Sequence, residues 1–292
     1  MSPRSHARGG GDIPHVAPRT NGFGAEITGV DLSGPLSPAA LDTVKAAFAQ
    51  HRVVWFPNQP LTFDQQEAFT LQFGVFGEEP FVETMKNRPH VVEVRRDPDE
   101  RTHPFGGGWH SDWSFQERPP AASILHAKVV PPEGGDTLFA DGVAACEALS
   151  PTMQELLRGL RAVHSARSVY GTDGFFAKES GRTGMSAIVS ADAHASRSQP
   201  LVRTHPVTGR KALFLGSGYA IGVEGMHKAE SEALLGFLLA FMTSEPFVYR
   251  HRWAADMLTM WDNRVVMHHA TGGYDGHLRL MHRTTVAGET PK

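Results

Sequence analysis

The sequence predicts a mainly β protein with flanking helices, arranged as a sandwich or barrel with helices outside it. Three observations carry this. From about residue 120, short apolar runs recur with turn residues between them. Few segments hold a helical period. No internal repeat and no linker-like stretch divides the chain, so residues 13–292 read as one domain behind a flexible tail, 1–12. With 292 residues, 40% of them hydrophobic, a sizeable core is available.

Ser37-Pro38 opens the first helix, because serine caps and proline suits the first turn. Leu41, Val44 and Phe48 then mark one apolar face. "RVVWFP" (52–57) reads as a buried strand ended by Pro57. Thr62 to Gln65 form a capping box that opens a second helix toward Phe73. "HVVEVR" (90–95) is another strand. Strands follow at 122–130, 136–140, 200–205, 211–216, 246–253, 257–262, 264–270 and 278–288, separated by turns such as "PPEGGD" and "TGGYDG". Two helices interrupt them. One starts at Ser150-Pro151; the other spans roughly 227–243, with Ala233, Leu234, Phe237, Leu238 and Phe241 as its buried face. Segment 165–199 has no sustained period and reads as a functional loop, a lid carrying Tyr170, Phe175 and Phe176.

Composition excludes several classes. A formal net charge of -3 gives no electrostatic case for nucleic acid or an anionic membrane. No run of about 18 apolar residues occurs, and the N-terminus has no apolar stretch of signal-peptide length. The lone Cys146 allows no internal disulfide, which suits a reducing compartment such as the cytoplasm.

"GGGWHSDWSF" (106–115) places His110 and Asp112 two residues apart. On a strand such residues share a face. An imidazole beside a carboxylate supplies two ligands for a divalent metal, and two histidines with one carboxylate leave open positions suited to non-haem Fe(II) oxygenases. "MWDNRVVMHHATGGYDGHLRLMHRTTVAG" (260–288) supplies His268, with His269 as its rival, and two arginines, Arg279 and Arg283. Arginine is a natural partner for a dicarboxylate, since its fork forms two parallel charge-assisted hydrogen bonds.

Together "WHSDWSF", "PPEGGDTLFAD" and "WDNRVVMHHA…RLMHRTTVAG" resemble the taurine dioxygenase family of Fe(II)/2-oxoglutarate-dependent oxygenases, which includes aryloxyalkanoate dioxygenases and alkylsulfatases. The likeness runs from about residue 20 to the end and takes in "NGFGAEITGVDLS" (21–33), "HRVVWFPNQPLT" and "FTLQFG". It implies a double-stranded β-helix, or jelly roll, and Fe(II), 2-oxoglutarate and O2 as cofactors. It implies hydroxylation of a C–H bond coupled to decarboxylation of 2-oxoglutarate to succinate and CO2. It makes His110, Asp112 and His268 the metal ligands. Thr137 and Arg279 would hold the distal carboxylate of 2-oxoglutarate, and Arg283 would lie nearer the metal, by the keto-acid end or an anionic group of the substrate. An aspartate at 112 argues against a halogenase. His126, His164, His205, His277 and His282 are expected to be structural or exposed, Trp109 and Trp113 to pack, and Cys146 to sit in a helix without chemistry.

Family members are often dimers or tetramers, so a homodimer or homotetramer is expected. The partner is otherwise a small-molecule substrate, and the sequence departs from the taurine pattern around it. Glu79 stands where that pattern has a histidine, Val82 where it has a tyrosine, and Gly106 where it has an asparagine. These residues, with Phe81, Phe115, Tyr219 and "HPFGGG" (103–108), are the expected pocket lining. Unless Glu78 and Glu79 belong to a solvated loop, the substrate is expected to be neutral or to carry an amine, with any carboxylate held by Arg283. Two rival readings remain. The same ligands suit a zinc metallohydrolase, but a hydrolase has no use for Arg279 with Thr137. An inactive relative acting as a binding protein would have little reason to keep every ligand.

Overall fold

The computed structural model describes residues 13–292, so the expected tail lies outside the described residues. The chain opens with β1 (His15–Pro18), β2 (Ala25–Thr28), α1 (Pro38–His51), β3 (Val53–Phe56), α2 (Phe63–Leu71) and β4 (Val92–Arg96). The middle holds β5 (Ala122–Val129), β6 (Thr137–Asp141), α3 (Gly142–Ala148), α4 (Pro151–Leu157) and β7 (Arg161–Ser165). Next come α5 (Arg167–Tyr170), α6 (Phe175–Lys178), β8 (Ser196–Pro200), β9 (Val202–Thr204), β10 (Lys211–Leu213) and β11 (Ala220–Val223). The last third is α7 (Lys228–Met242), β12 (Val248–His251), β13 (Leu258–Asp262), β14 (Val266–Ala270) and β15 (Arg279–Val286).

A seven-stranded sheet in the order β1-β2-β3-β13-β5-β15-β4 forms one wall of the jelly roll. Facing it is the three-stranded sheet β12-β6-β14, with smaller sheets β11-β7-β8 and β10-β9 beside it. The central strands of the large sheet are buried on both faces, which is why "RVVWFP" and "MLTMWD" read as continuous apolar runs. Val54, Phe56, Ile124, Leu258 and Met260 point to one side, where Val44 and Phe48 of α1 and Phe69 of α2 cover them. Val53, Leu125, Trp261 and Met281 point to the other and meet Phe139 and Val266 of the smaller sheet. The Trp261 and Phe139 rings lie 5.5 Å apart across this interface.

Local signals hold at the predicted starts. The Ser37 side chain accepts from Ala40 N, Thr62 and Gln65 form the reciprocal capping box, and Ser150 accepts from Met153 N. Cys146 lies in helix α3, as expected, although no bounds for that helix were read from the sequence. The helix starts because Asp141 Oδ1 accepts from Val143 N and Ala144 N at 3.0 and 3.1 Å. No helix among the described residues is long and apolar enough to cross a membrane.

Two expectations are corrected. Segment 165–199 is not a structureless loop: it carries α5, α6, a 3₁₀ turn at Ala191–His194 and most of β8. Strand β8 pairs with β7 in an antiparallel ladder, to which Arg161 adds a bond from Nε to Ser198 Oγ at 2.6 Å, and it exposes Ser196 and Arg197, so no apolar alternation announces it. On α7 the buried residues are Ser231, Leu238 and Met242, whereas Ala233 and Phe237 are exposed. Apolar residues surround much of this helix, and its docking chose the face, with Ser231 Oγ accepting from Val223 N at 3.0 Å.

Leu238→Ala is therefore expected to destabilise the fold by about 2–5 kcal/mol. Phe237→Ala, at a position 46% exposed, should cost under about 1 kcal/mol. Urea midpoints of the two variants check the assignment, and equal losses would overturn it.

Candidate metal centre and its pocket

A short antiparallel bridge brings the two distant halves of the site together. His110 N donates to His268 O at 3.0 Å, and His268 N donates to His110 O at 2.8 Å. Ser111 Oγ adds a 2.8 Å bond to Val266 O. The expectation that His110 and Asp112 share one face of a strand is corrected here. Only His110 is β-paired, and Asp112 lies in the turn that follows, next to Trp113 at a left-handed φ of 47°.

The convergence of the three side chains nevertheless holds. One donor atom each from His110, Asp112 and His268 lies within 4.8 Å of the others. Asp112 Oδ1 is 3.5 Å from His110 Nε2 and 3.8 Å from His268 Nε2. Cis ligands about 2.1 Å from one ion stand about 3 Å apart, so a slight contraction closes the set around a metal. His110 Nδ1 lies 2.7 Å from Gly108 O, which directs its proton there and leaves Nε2 free for an ion. His268 Nδ1 is buried without a hydrogen-bond partner. It thus lacks the outer hydrogen bond that His110 has, and its Nε2 is the nitrogen that faces Asp112. Burial, reinforced by the neighbouring His110, pushes His268 down to about 3 and keeps the ring neutral, the form a ligand needs. Burial alone would raise the Asp112 carboxyl, but His268, Arg283 and His110 outweigh it and hold the group well below the usual carboxylate range.

A network not foreseen from the sequence orients Asp112. Ser123 Oγ donates to Asp112 Oδ2 at 2.5 Å, Asn263 Nδ2 donates to Ser123 Oγ at 2.8 Å, and Asp112 N donates to Asn263 Oδ1 at 3.3 Å. Trp261 Nε1 also donates to Asn263 Oδ1 at 3.0 Å. The only signal was "WDNR", part of the motif that contains His268, whose Asn263 supports the ligand. Asp262 holds the same turn through Arg264 and through His205 at 2.9 Å.

The three co-substrate candidates lie on strands of facing sheets. Thr137 is buried on β6, where its Oγ1 accepts from Trp253 Nε1 at 3.1 Å. Arg279 is buried on β15 and donates Nε to Gly135 O at 3.3 Å. Among the described residues it forms no ion pair with a carboxylate. Arg283, two pleats further along β15, contacts Glu79 at 2.5 Å and lies 3.6 Å from Asp112 Oδ1. Burial disfavours its charge, yet Glu79 and Asp112 raise it above the ordinary arginine value.

A cavity of about 750 Å³ opens over the triad. Phe105, Trp113, Tyr170, Phe175, Phe176 and Tyr219 supply its apolar wall, with Gly106 and Arg283 also exposed to it. The "HPFGGG" loop and the 165–199 aromatics thus reach the expected place. Gly106, at φ 76°, brings the backbone close to the ligand histidine: a Cβ there would stand 3.4 Å from His110 Cε1. His269 lines the cavity beside Trp109 but is outside the triad.

Other lining expectations fail. Val82 is buried in a bridge to Ala187, away from this cavity. Phe115 and Phe81 stand behind the wall: the Phe115 ring is 5.0 Å from Tyr219 and 5.6 Å from Phe81. Glu79 is no solvated loop residue. Its side chain is 4% exposed and accepts from Trp113 Nε1 at 2.9 Å, Thr285 Oγ1 at 3.1 Å and Arg283. Glu78 is exposed. Of the histidines set aside, His126, His164, His205 and His282 are buried and hydrogen-bonded or stacked, and His277 is exposed.

The Asp262 platform yields a pH-dependent prediction. Burial raises its carboxyl, but Arg264 and His205 prevail and hold it well below the ordinary range. A folded-state value below the unfolded one stabilises the protein above about pH 4, and that contribution is lost as pH falls toward the folded value. Asp262→Asn should thus cost about 3–5 kcal/mol at pH 7. In urea titrations the gap to the parent protein should narrow below about pH 4.

Comparison with known proteins agrees with this architecture. The family model described as taurine catabolism dioxygenase TauD, TfdA family matches residues 15–285. An alpha-ketoglutarate-dependent sulfate ester dioxygenase of Pseudomonas putida is 34% identical, over 96% of this chain and 90% of its own. An alpha-ketoglutarate-dependent 2,4-dichlorophenoxyacetate dioxygenase of Cupriavidus pinatubonensis is 38% identical, over 84% of this chain and 88% of its own. The crystal structure of a taurine dioxygenase from Burkholderia xenovorans superposes with a TM-score of 0.78 at 31% identity, covering 96% of this chain and 93% of that one. A metal-ready triad on a matching jelly roll, and a family match over nearly its whole length, lead to one conclusion: the chain belongs to the TauD, TfdA family of taurine catabolism dioxygenases.

Proposed function

We propose that His110, Asp112 and His268 hold Fe(II), that Arg279 and Thr137 hold the distal carboxylate of 2-oxoglutarate, and that Arg283 lies nearer the metal, by the keto-acid end or by the bound substrate. The chain is an oxidoreductase, a 2-oxoglutarate-dependent dioxygenase using Fe(II), 2-oxoglutarate and O2. It hydroxylates a C–H bond of a small organic molecule as 2-oxoglutarate becomes succinate and CO2. The observation that carries the reading is the buried His-Asp-His set at the floor of an apolar cavity. Iron with its co-substrates supplies an oxidant able to cleave an unactivated C–H bond.

The protein's own residues supply placement. Ser123 and Asn263 fix the Asp112 carboxylate, and the Gly108 carbonyl fixes the His110 ring. Arg279, charged and without a carboxylate partner among the described residues, offers its fork to a dicarboxylate. The aromatic wall excludes water and positions the substrate. Arg279 with Thr137 also speaks against the metallohydrolase reading, in which neither has a role. Named relatives act on sulfate esters, sulfonates and phenoxyalkanoates. For this chain we carry over only a small-molecule substrate, together with one domain over residues 13–292, a cytoplasmic setting and a homodimer or homotetramer.

The direct test is succinate formation from 2-oxoglutarate, which should require both Fe(II) and O2. Asp112→Ala and His268→Ala should abolish it and weaken Mn(II) binding by at least tenfold, whereas His269→Ala should retain metal binding. Succinate formation that persists in Asp112→Ala would refute the assignment. Separately, Arg279→Ala should raise the 2-oxoglutarate Kd by about 30-fold or more in calorimetric titration, because a buried charge pair loses one partner. An unchanged Kd would remove Arg279 from the co-substrate site.

A further inference from the structure

Among the described residues Arg283 is the only arginine or lysine that lines the cavity, and the fold has already given it an acid. Glu79 reaches it from the loop after α2, with Oε2 2.5 Å from Arg283 NH2. The remaining contacts of Glu79 are Trp113 Nε1 and Thr285 Oγ1. Burial raises the Glu79 carboxyl, while Arg283, Trp113 and Thr285 favour its charged form. Both groups on Oε2, an indole and a guanidinium, can only donate, and that geometry favours a carboxylate paired with Arg283. Both side chains are about 95% buried, which strengthens the pairing.

We propose that Glu79 is the specificity-determining residue of this site: by cancelling the charge of Arg283 it makes the substrate pocket neutral and selects an uncharged, largely apolar substrate over an anion. This inference rests on the dioxygenase reading above. The charges in that reading balance. The two positive charges of Fe(II) and the one of Arg279 are matched by Asp112 and the two carboxylates of 2-oxoglutarate. Arg283 is the cation left over, free to attract an anionic substrate if unpaired, and Glu79 removes that attraction. A cationic substrate fares no better. Among the described residues no carboxylate besides the ligand Asp112 lines the cavity, and Glu79 is engaged by three donors. What remains is a wall of Phe105, Tyr170, Phe175, Phe176 and Tyr219, suited to an aromatic or alicyclic skeleton. Glu79 acts through Arg283 rather than by touching the substrate.

The test uses the anaerobic holoenzyme loaded with Fe(II) and 2-oxoglutarate, so that binding is read without turnover. It is titrated with trios that share one skeleton: 3-phenylpropanoate, 3-phenylpropanamide and 3-phenylpropylamine, and their cyclohexyl counterparts. Binding is followed by the change in the visible metal-to-2-oxoglutarate band. The parent protein should bind the amide tightest. Glu79→Gln should shift the anion-to-amide Kd ratio by about tenfold or more toward the anion, since one charge-assisted contact is released. Glu79→Asp should keep the parent order. Each ratio is taken within one protein, so partial loss of folded material cancels, and the parent order alone suffices if a variant does not fold. Anion or amine binding as tight as amide binding in the parent, an unmoved ratio in Glu79→Gln, or no binding by either amide would overturn the inference. If the band itself never forms, the dioxygenase reading falls and takes this one with it; a normal band with anion-first binding sinks this inference alone.

Discussion

The site depends on one pair of backbone hydrogen bonds. The bridge between His110 and His268 joins a turn to strand β14 across more than half of the chain. Without it the two imidazoles have no reason to share a neighbourhood, because neither belongs to the other's sheet by extended pairing. Two hydrogen bonds contribute little by net stability, about 1 kcal/mol each. Their effect is geometric: they fix the separation of the two histidine backbones, and the short turn after His110 then brings Asp112 alongside both rings. Ser123 on β5 and Asn263 after β13 complete the arrangement from the large sheet, so the triad is braced by both walls of the jelly roll. A metal site assembled this way is as rigid as the packing of the two sheets.

What could be read from the sequence follows from how each feature is encoded. Central strands announced themselves because both faces are buried, so "RVVWFP" and "MLTMWD" are apolar throughout. Helix starts at Ser37, Thr62 and Ser150 announced themselves because capping is a contact between near neighbours. The triad was legible through separated motifs rather than through geometry; the strand argument for His110 and Asp112 reached the right pair by a route the backbone does not take. Strand β8 stayed hidden because its pairing is made by main-chain atoms, which every residue carries. The face of α7 stayed hidden because apolar residues on several sides leave the choice to docking. The burial of Glu79 was invisible for a related reason: an acidic residue in a loop is ordinarily solvated, and only its tertiary partners show otherwise.

That last case bears on how substrate choice is built. Arg279 and Arg283 lie on one strand, four residues apart, both buried, and local sequence does not distinguish them. Their surroundings do. Arg279 meets a backbone carbonyl and keeps its charge free for a ligand, whereas Arg283 meets Glu79 and has its charge balanced within the fold. An unpaired buried cation is costly and is tolerated where a ligand will supply the counter-charge; a paired one is already satisfied. The same residue type therefore carries opposite information at the two positions, and the difference comes from a residue some 200 positions away in the chain. On the proposed reading, the oxidising half of the chemistry is set by ligands that the fold holds in place, while the charge of the accepted molecule is set by one loop carboxylate that touches neither metal nor substrate. That separation lets the loop after α2 change substrate charge while the coordination sphere stays intact.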